Sequence, residues 1–399
     1  MPSDVESSSQ QTALHRSRAA VAAIRTRNLR PIAHWVPGTR IGQSSWPAAG
    51  RPLSKARLTA SWNYWWQAHL LDLLVDAARL GDAAAGREAR SLIRGILIRN
   101  TGRWTNSYYD DMAWLALAVE RADRVIDGSR HHRGLRILTG VLHDAWQPEL
   151  GGGIPWRTTD HFFNVPANGP AGIFLARRGR VERAVATADW IAETMVLPSG
   201  LIADGFWLEP DGSHRYINTV FTYCQGVTLG LDAECFRLTG RTSHLDRIEA
   251  LLAAVEERCT DDGVVKGAGG GDGGLFAGIL ARNLALLATD LPATGHGDLR
   301  RRIEAVRARA GALVLTSAAA AWANRATVDG LPVFGADWST PAAVPSADGQ
   351  ASAFIGGAVR SASSPERDLS VQLSGAILIA AAASVTLGSP EHTVSVTPG

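Results

Sequence analysis

The chain contains few cysteines and no large excess of either charge. Among 399 residues only three are cysteines, Cys224, Cys235 and Cys259, and their spacing fits neither a metal site nor an even set of disulfides. Such usage suits a reducing compartment. The net charge is only +2, without a lysine cluster or basic stripe, so binding to nucleic acid or to a membrane surface has little electrostatic support.

An export signal and a long apolar run are also absent from the sequence. Residues 1–18 are polar and contain no apolar core followed by a cleavage site, so we predict no secretory signal. The longest apolar stretch, residues 373–387, is expected to be too short and too rich in alanine and serine to span a bilayer. We therefore expect no membrane insertion and a cytoplasmic location.

Several common catalytic motifs are missing. The sequence has no G-x-S-x-G elbow, no H-E-x-x-H motif and no cysteine pair for a metal. The glycine-rich stretch KGAGGGDGG, residues 266–274, lacks the Lys-Ser/Thr ending of a phosphate loop, and no predicted strand precedes it. We therefore predict neither a metal nor an organic cofactor.

Helical signals dominate what is present, and they come in pairs. We predict twelve helices, near residues 12–28, 62–80, 84–99, 109–124, 131–144, 168–178, 181–195, 219–238, 243–258, 276–290, 297–320 and 370–384. The first member of each pair is amphipathic, as in HLDRIEALLAAVEERC, whereas the second is apolar on nearly every face, as in FAGILARNLALLA. Half-exposed helices that alternate with buried ones predict an inner ring inside an outer ring, which is an all-α (α/α)6 toroid of about six hairpins. An α-solenoid would show a repeat period, and we find none.

One domain is predicted over residues 12–390, with a polar segment, residues 1–30, leading into the first outer helix. A short β-hairpin is weakly indicated in residues 326–338 or 353–361. In a ring of antiparallel hairpins, the loops that lead into the inner helices all emerge at the same end. These loops collect Gly, Asp, Asn and Trp, and long Gly-rich connections are more often functional than idle.

Tryptophan is abundant, with 13 residues in the chain. At least seven lie at or near the start of inner helices: Trp62, Trp65, Trp66, Trp104, Trp156, Trp207 and Trp338. A single tryptophan is more often a core residue, but seven on one rim favour carbohydrate, because a flat ring suits the apolar face of a sugar. His69, one helical turn after Trp65, is either a sugar ligand or a satisfied core histidine.

Two adjacent acids open an otherwise apolar helix in NSYYDDMAWL, residues 106–115. Asp110 and Asp111 could simply complement the helix dipole behind a cap at Asn106 or Ser107. Burying charge is costly, however, which favours a chemical role. Two carboxylates are the minimum for breaking a glycosidic bond, and groups about 5 to 6 Å apart on neighbouring residues suit a retaining, covalent mechanism. The adjacent Tyr109 could donate a hydrogen bond to a carboxylate or to a sugar hydroxyl.

Five segments carry a resemblance to a known family: NYWWQAHLLDLLVDA, YYDDMAWLALAVERA, GGGIPW, NVPANGPAGIFLARR and FTYCQGVTLG. In this order they resemble glycoside hydrolase family 76, the α-1,6-mannanase family. The resemblance runs from about Trp62 to at least Leu287, with a weaker continuation in FGADWS and SVQLSGAILIAAAA. YYDDMAW is highly specific in combination with GGGIPW.

The resemblance implies an (α/α)6 barrel and an endo-acting, retaining hydrolase of α-1,6-linked mannose chains that needs no cofactor. It assigns Asp110 as the nucleophile and Asp111 as the general acid/base. It also implies that mannose-binding residues surround the pair, and we expect these to be Trp65, Trp66, His69, Trp104, Tyr109, Trp156, Asn164, Asn168, Asp204, Tyr223 and Gln225. The expected partner is an α-1,6-linked mannose oligosaccharide or polysaccharide, bound by a monomer. The family usually has Asn where Cys224 stands, a departure that could alter a subsite.

Two other functions remain open at this point. The chain could be a mannose-glycan-binding protein that has lost catalysis, although the intact YYDDMAW argues against this. It could also be another (α/α)6 sugar enzyme, such as an epimerase or a uronyl hydrolase. An epimerase would need histidines that face the cavity, and His69 is the one plausible candidate.

Overall fold

The chain is built mainly from helices, as the computed structural model of residues 4–34, 36–48, 62–293 and 295–388 describes it. These residues form twelve α-helices, and all but the first, which begins at Asp4 instead of near residue 12, lie close to their predicted positions. In chain order they are α1 (Asp4–Arg27), α2 (Tyr64–Arg79), α3 (Ala83–Arg99), α4 (Tyr109–Val125), α5 (His132–Asp144), α6 (Val165–Arg177), α7 (Val181–Thr194), α8 (Thr222–Thr239), α9 (Thr242–Arg258), α10 (Phe276–Asp290), α11 (Gly297–Ala323) and α12 (Leu369–Leu387).

The even-numbered helices form a closed inner ring. Each of α2, α4, α6, α8 and α10 packs against the next even-numbered helix, and α12 packs against α2 to complete the circle. The odd-numbered helices pack outside them, with α1 against α12 at the seam. Since a solenoid would leave its first and last repeats apart, this closure confirms the predicted all-α (α/α)6 toroid.

Burial follows the two kinds of helix that the sequence contains. In the outer helix α9, the buried residues recur at helical spacing, as in Leu245, Ile248 and Leu252, and form a single face. In the inner helix α12, every residue from 369 to 384 is buried. The difference arises because an outer helix contacts the ring on one side, whereas an inner helix is enclosed on nearly every side.

Helix α12 corrects one expectation from the sequence. It begins four residues before the apolar stretch and runs for 19 residues with a mean hydropathy of 1.7, so by length and composition it could cross a bilayer. In the structure, however, 89% of this window is buried, in contacts with α1, α2, α10 and α11. Such burial is what the core helix of a folded domain shows.

Short strands occur in the connections between helices. Strands β1 (Leu29–Arg30) and β2 (Ile41–Gly42) pair with each other, as do β6 (Thr260–Asp261) and β7 (Val264–Val265). An antiparallel sheet, which the sequence did not predict, joins β3 (Phe162–Asn164), β4 (Gly205–Leu208) and β5 (His214–Ile217). Hairpins also form at both weakly indicated positions: β8 (Ala326–Val328) with β9 (Leu331–Val333), and β10 (Ala353–Ile355) with β11 (Ala358–Arg360).

Buried ion pairs connect inner helices across the ring. Arg282 of α10 lies 2.7 Å from both Asp72 and Asp76 of α2. Arg121 of α4 contacts the same two carboxylates. Because each acid is shared by two guanidinium groups, the four charges balance inside the ring.

Candidate active site

A cavity of about 630 Å³ opens at the end of the ring where the inner helices α4 and α10 begin. Its walls are mainly aromatic, with a few acidic and amide side chains among them. The lining residues are Trp62, Asn63, Tyr64, Trp65, Asn106, Ser107, Tyr108, Asp110, Asp111, Trp114, Trp156, Phe162, Asn164, Asp204, Phe221, Tyr223, Asp272, Phe276, Phe354, Gly357, Ala358 and Val359. A concave, mostly apolar site with a few polar groups is typical of small-molecule and sugar binding.

The adjacent aspartates lie in the first turn of α4, and both face this cavity. One carboxylate oxygen of Asp110 accepts the backbone N–H of Asp111 at 2.8 Å, and the other accepts the indole N–H of Trp156 at 2.9 Å. Asp111 accepts a bond of 2.7 Å from the side-chain amide of Asn106. The two acids therefore differ in their hydrogen-bond donors.

Backbone contacts position Trp156 beside Asp110. The N–H of Tyr109 donates to the carbonyl of Trp156 at 2.9 Å, which ties the GGGIPW segment to the start of α4. The backbone N–H of Trp156 donates to the carbonyl of Phe162 at 2.7 Å. The segment depends on Gly153, whose φ is +91° and where an added Cβ would meet the ring of Trp190 at 2.5 Å.

Burial and mutual repulsion set the ionisation of the aspartate pair. Burial raises the pKa of Asp110 to about 7, against the hydrogen bonds from Asp111 and Trp156. Burial also raises the pKa of Asp111 well above its ordinary value, and the charge of Asp110 raises it further. The N–H donors of Asp111 and Trp156 favour the negative charge on Asp110, and that charge in turn favours a proton on Asp111.

Stacked aromatic rings form much of the cavity wall. Tyr223 and Phe276 are parallel, with an interplanar angle of 4° and ring centroids 4.0 Å apart. Trp65 lies beside Phe276, with centroids 6.4 Å apart. On the opposite side, Trp156 meets Phe162 edge-on at 6.0 Å. Such surfaces suit the apolar faces of pyranose rings.

Asp204 is a third acid in the wall, and it has few donors. Its contacts with side chains are long: the hydroxyl of Tyr223 lies 3.5 Å away and the thiol of Cys224 lies 3.8 Å away. Burial raises the pKa of Asp204 to about 6. Cys224 is itself buried and does not line the cavity, so it reaches the site only through its contact with Asp204.

The sequence matches the model of glycosyl hydrolase family 76 over residues 38–354. The chain belongs to this family. It is therefore a glycoside hydrolase. A comparison with curated proteins gave no match.

Solved structures of similar fold align with nearly the whole length of this family-76 chain. The GH76A α-1,6-mannanase from Salegentibacter sp. HEL1_6 is 27% identical, with a TM-score of 0.74 over 94% of this chain and 99% of that one. A Listeria innocua protein is 26% identical, with a TM-score of 0.75 over 95% and 99% of the two chains. Dfg5 from Chaetomium thermophilum, at 16% identity and a TM-score of 0.67 over 94% and 91%, shares the fold.

Seven of the predicted site residues line the cavity of this family-76 chain. They are Asp110, Asp111, Trp65, Trp156, Asn164, Asp204 and Tyr223. Asn164 also caps α6, because its side chain accepts the N–H of Ala167 at 3.3 Å.

Two predicted amide ligands lie behind the wall instead. Asn168 is fully buried. Its side-chain oxygen accepts the backbone N–H of Ile154 at 2.8 Å, and its NH₂ group donates to the carbonyl of Ile154 at 2.8 Å. Gln225 is also fully buried, and it bonds in the same way with the backbone of Ile202. We expected both to bind sugar, but their polar atoms are used to hold the loops that form the rim.

The other predicted ligands also lie outside the cavity lining. Trp66 is fully buried, and Tyr109 packs against the core at the start of α4. Trp104 packs on the outer helix α5, so closely that a Cβ added at Gly134 would meet the Trp104 ring. His69 is 2% exposed and lies under Trp114, with ring centroids 4.7 Å apart. Both of its nitrogens lack a hydrogen-bond partner among the described residues, which differs from the satisfied core histidine that we considered, and its side chain does not line the cavity.

The sequence analysis missed several residues that line the cavity. Asp272 lies in the glycine-rich stretch, which we had counted among the loops at the rim, but whose chemistry we had weighed only as that of a phosphate loop. A lone acid in a glycine run before an inner helix was the signal available for it. Asn106 precedes the aspartate pair by four residues, and we had considered it only as a helix cap. Phe354 belongs to a hairpin that the sequence indicated only weakly.

Metal-ligand geometry is not present in the part of the chain that the structure describes, where no group of three His, Cys, Asp or Glu residues could hold an ion. All three cysteines are free and buried.

Proposed function

We propose that this family-76 hydrolase cleaves α-1,6-mannosidic bonds by a retaining double displacement. The observation that carries the proposal is the adjacent pair Asp110 and Asp111, which share one aromatic cavity but have different donors and different ionisation. A relative offers support: a variant of the Salegentibacter enzyme, with two consecutive aspartates changed to asparagine, is described as inactive and was solved with α-1,6-mannotriose.

In the first step, Asp110 attacks the anomeric carbon. Two hydrogen bonds fix its carboxylate at the cavity wall, and its position in the first turn of α4 favours the negative charge. Attack forms a glycosyl ester at Asp110 and breaks the bond to the leaving oxygen. The indole N–H of Trp156 keeps one carboxylate oxygen in place while the other attacks.

Asp111 supplies the proton that the leaving oxygen needs. It carries this proton because burial and the neighbouring Asp110 both raise its pKa, and Asn106 orients its carboxyl group. In the second step, the Asp111 carboxylate takes a proton from water, and the resulting hydroxide equivalent displaces Asp110 from the sugar. Both acids then return to their starting protonation.

Endo action is supported by the distribution of the cavity wall around the pair. Helix α4 lies between α2 and α6 in the ring. Trp62 and Trp65 line the cavity from the α2 side, whereas Phe162 and Asn164 line it from the α6 side. Sugar units can thus be held on both sides of the bond that is cleaved, as cleavage within a chain requires.

An epimerase has no structural support here. No histidine lines the cavity among the described residues, and burial together with the charge of Arg282 lowers the pKa of His69 well below its ordinary value. A neutral, enclosed imidazole is poorly placed for proton transfer to a sugar.

The test is turnover of linear α-1,6-mannan fragments by the wild type, Asp110→Asn and Asp111→Asn. Each substitution should lower kcat at least about a thousandfold, because it removes a group that acts as part of a catalytic unit. Asp211→Asn, at a fully exposed turn, serves as the control and should keep full activity. Sugar binding without turnover by the wild type would instead identify a glycan-binding protein, and longer products would identify transglycosylation.

A further inference from the structure

Asp272 connects two parts of the cavity wall. Its Oδ1 accepts the indole N–H groups of Trp65 and Trp66, each at 3.0 Å. Its Oδ2 accepts the backbone N–H of Val359 at 2.7 Å. One carboxylate therefore holds both the tryptophan pair of α2 and the strand β11, while facing the cavity.

The glycine-rich stretch brings Asp272 close enough to do this. At Gly271, φ is +60° and an added Cβ would lie 2.2 Å from the carbonyl oxygen of Val359. The backbone can approach β11 so closely only because this residue has no side chain. The glycine-rich stretch, residues 266–274, is not a phosphate loop, but it places Asp272 next to β11.

The far end of the same hairpin touches the other side of the site. An added Cβ at Gly357, in the turn of the hairpin, would lie 2.9 Å from the ring of Trp156. Trp156 is the residue whose indole N–H binds Asp110. The hairpin β10–β11 therefore extends over the cavity from Asp272 to the partner of Asp110.

Two apolar side chains on this hairpin are more than half exposed among the described residues. Phe354 is 59% exposed and lines the cavity, and Ile355 beside it is 53% exposed. An aromatic ring that stands free over a sugar cavity is a platform for a pyranose face. The match to the family model ends at residue 354, so β11 and the turn lie beyond it.

We propose that Asp272 is a positioning residue that anchors the hairpin β10–β11 over the cavity, and so holds Phe354 against a bound sugar. The contact with sugar rests on the proposed mannanase function, whereas the anchor does not. Asp272 touches neither the leaving oxygen nor the anomeric carbon in the proposed reaction. Its loss should therefore weaken sugar binding more than it slows the chemical step.

The first measurement needs no substrate and compares amide hydrogen exchange in the wild type and Asp272→Asn. The Asn oxygen can still accept the indole N–H groups, but its NH₂ group cannot accept the N–H of Val359. Exchange of the Val359 amide should become about ten- to a hundredfold faster, with no change in the hairpin β8–β9. An unchanged rate at Val359 would overturn the anchor.

The second measurement separates KM from kcat on α-1,6-mannan fragments. For Asp272→Asn we expect KM to rise about tenfold and kcat to change less than about threefold. Val359→Pro removes the same bond from the donor side and should reproduce this split, and the double variant should add little. Asp337→Asn is the matched control, since Asp337 also accepts a backbone N–H, from Ser339, but is absent from the cavity lining.

The outcomes distinguish the two proposals. A fall in kcat at constant KM, with a lower Tm, would mean that Asp272 only stabilises the fold, and it would overturn the positioning role. If the wild type bound and cleaved no α-1,6-mannan, the proposed function would fail and the sugar contact of Phe354 with it. The exchange rate of Val359 would still decide the anchor.

Discussion

Asp204→Asn should make the protein more stable at neutral pH while weakening its activity. Asp204 is half-buried in the cavity wall, and burial raises its pKa from 3.8 to about 6. A shift of about 2 pKa units corresponds to at most about 3 kcal/mol of destabilisation once the group is ionised, because solvent screens a partly exposed charge. The substitution removes this cost, and the contacts it puts at risk, from Tyr223 and Cys224, are long.

The size of this stability difference depends on pH. Because the folded-state pKa of Asp204 is above the unfolded one, the native protein holds the proton longer, and its stability falls as pH rises from about 4 to about 6. The Asn variant has no such proton. Its advantage should therefore be full at pH 7 and absent near pH 4.

Thermal unfolding at the two pH values measures this difference. For a chain of this length, about 1 kcal/mol corresponds to about 1 °C, so the variant should unfold about 1 to 4 °C higher than the wild type at pH 7. We expect its kcat/KM on α-1,6-mannan to fall about tenfold, the effect of losing a hydrogen bond from a sugar hydroxyl to a charged acceptor. The control is Asp211→Asn, where hydrogen bonds from Ser213 lower the pKa of the exposed acid, so its small effect on stability should have the opposite sign. A lower Tm for Asp204→Asn at pH 7, or a difference independent of pH, would refute the reasoning.

Three further predictions concern other parts of the molecule. His69→Leu should keep the Tm and keep activity within about threefold, because the ring has no polar partner to lose; a large rise in KM would mean that sugar reaches it. Arg282→Met should lower the free energy of unfolding by about 3 to 5 kcal/mol in denaturant titrations, since it leaves Asp72 and Asp76 with one guanidinium group between them; an unchanged midpoint would contradict this. The acidic limb of kcat/KM against pH should lie well above pH 4, because burial raises the pKa of Asp110; a limb near the ordinary value of an aspartate would contradict the enclosed pair.

Helix positions could be predicted from the sequence because they depend on local periodicity. The half-apolar pattern of α9 and the uniformly apolar pattern of α12 each correspond to a distinct place in the two rings. The sheet β3–β4–β5 was missed because its strands have only three or four residues, and strands so short give no clear alternation.

The candidate site was predictable where one segment supplies both the residue and its setting. Asp110 and Asp111 stood out because two acids open an apolar helix, and Trp156 lies in a recognisable loop. Asn168 and Gln225 bond to backbone behind the wall, a placement that the sequence could not give because it does not show whether an amide near a rim faces the cavity or a backbone. Asp272 was missed because its role depends on Val359, 87 residues further along the chain.

The most direct measurement is the anomeric configuration of the first product, followed by NMR from the start of α-1,6-mannotetraose cleavage. Nucleophilic attack by Asp110, with Asp111 as acid and then base, predicts new reducing ends that are first α and only later equilibrate with β. New reducing ends that are first β, or no cleavage of the tetrasaccharide, would contradict the double displacement that we assign to this pair.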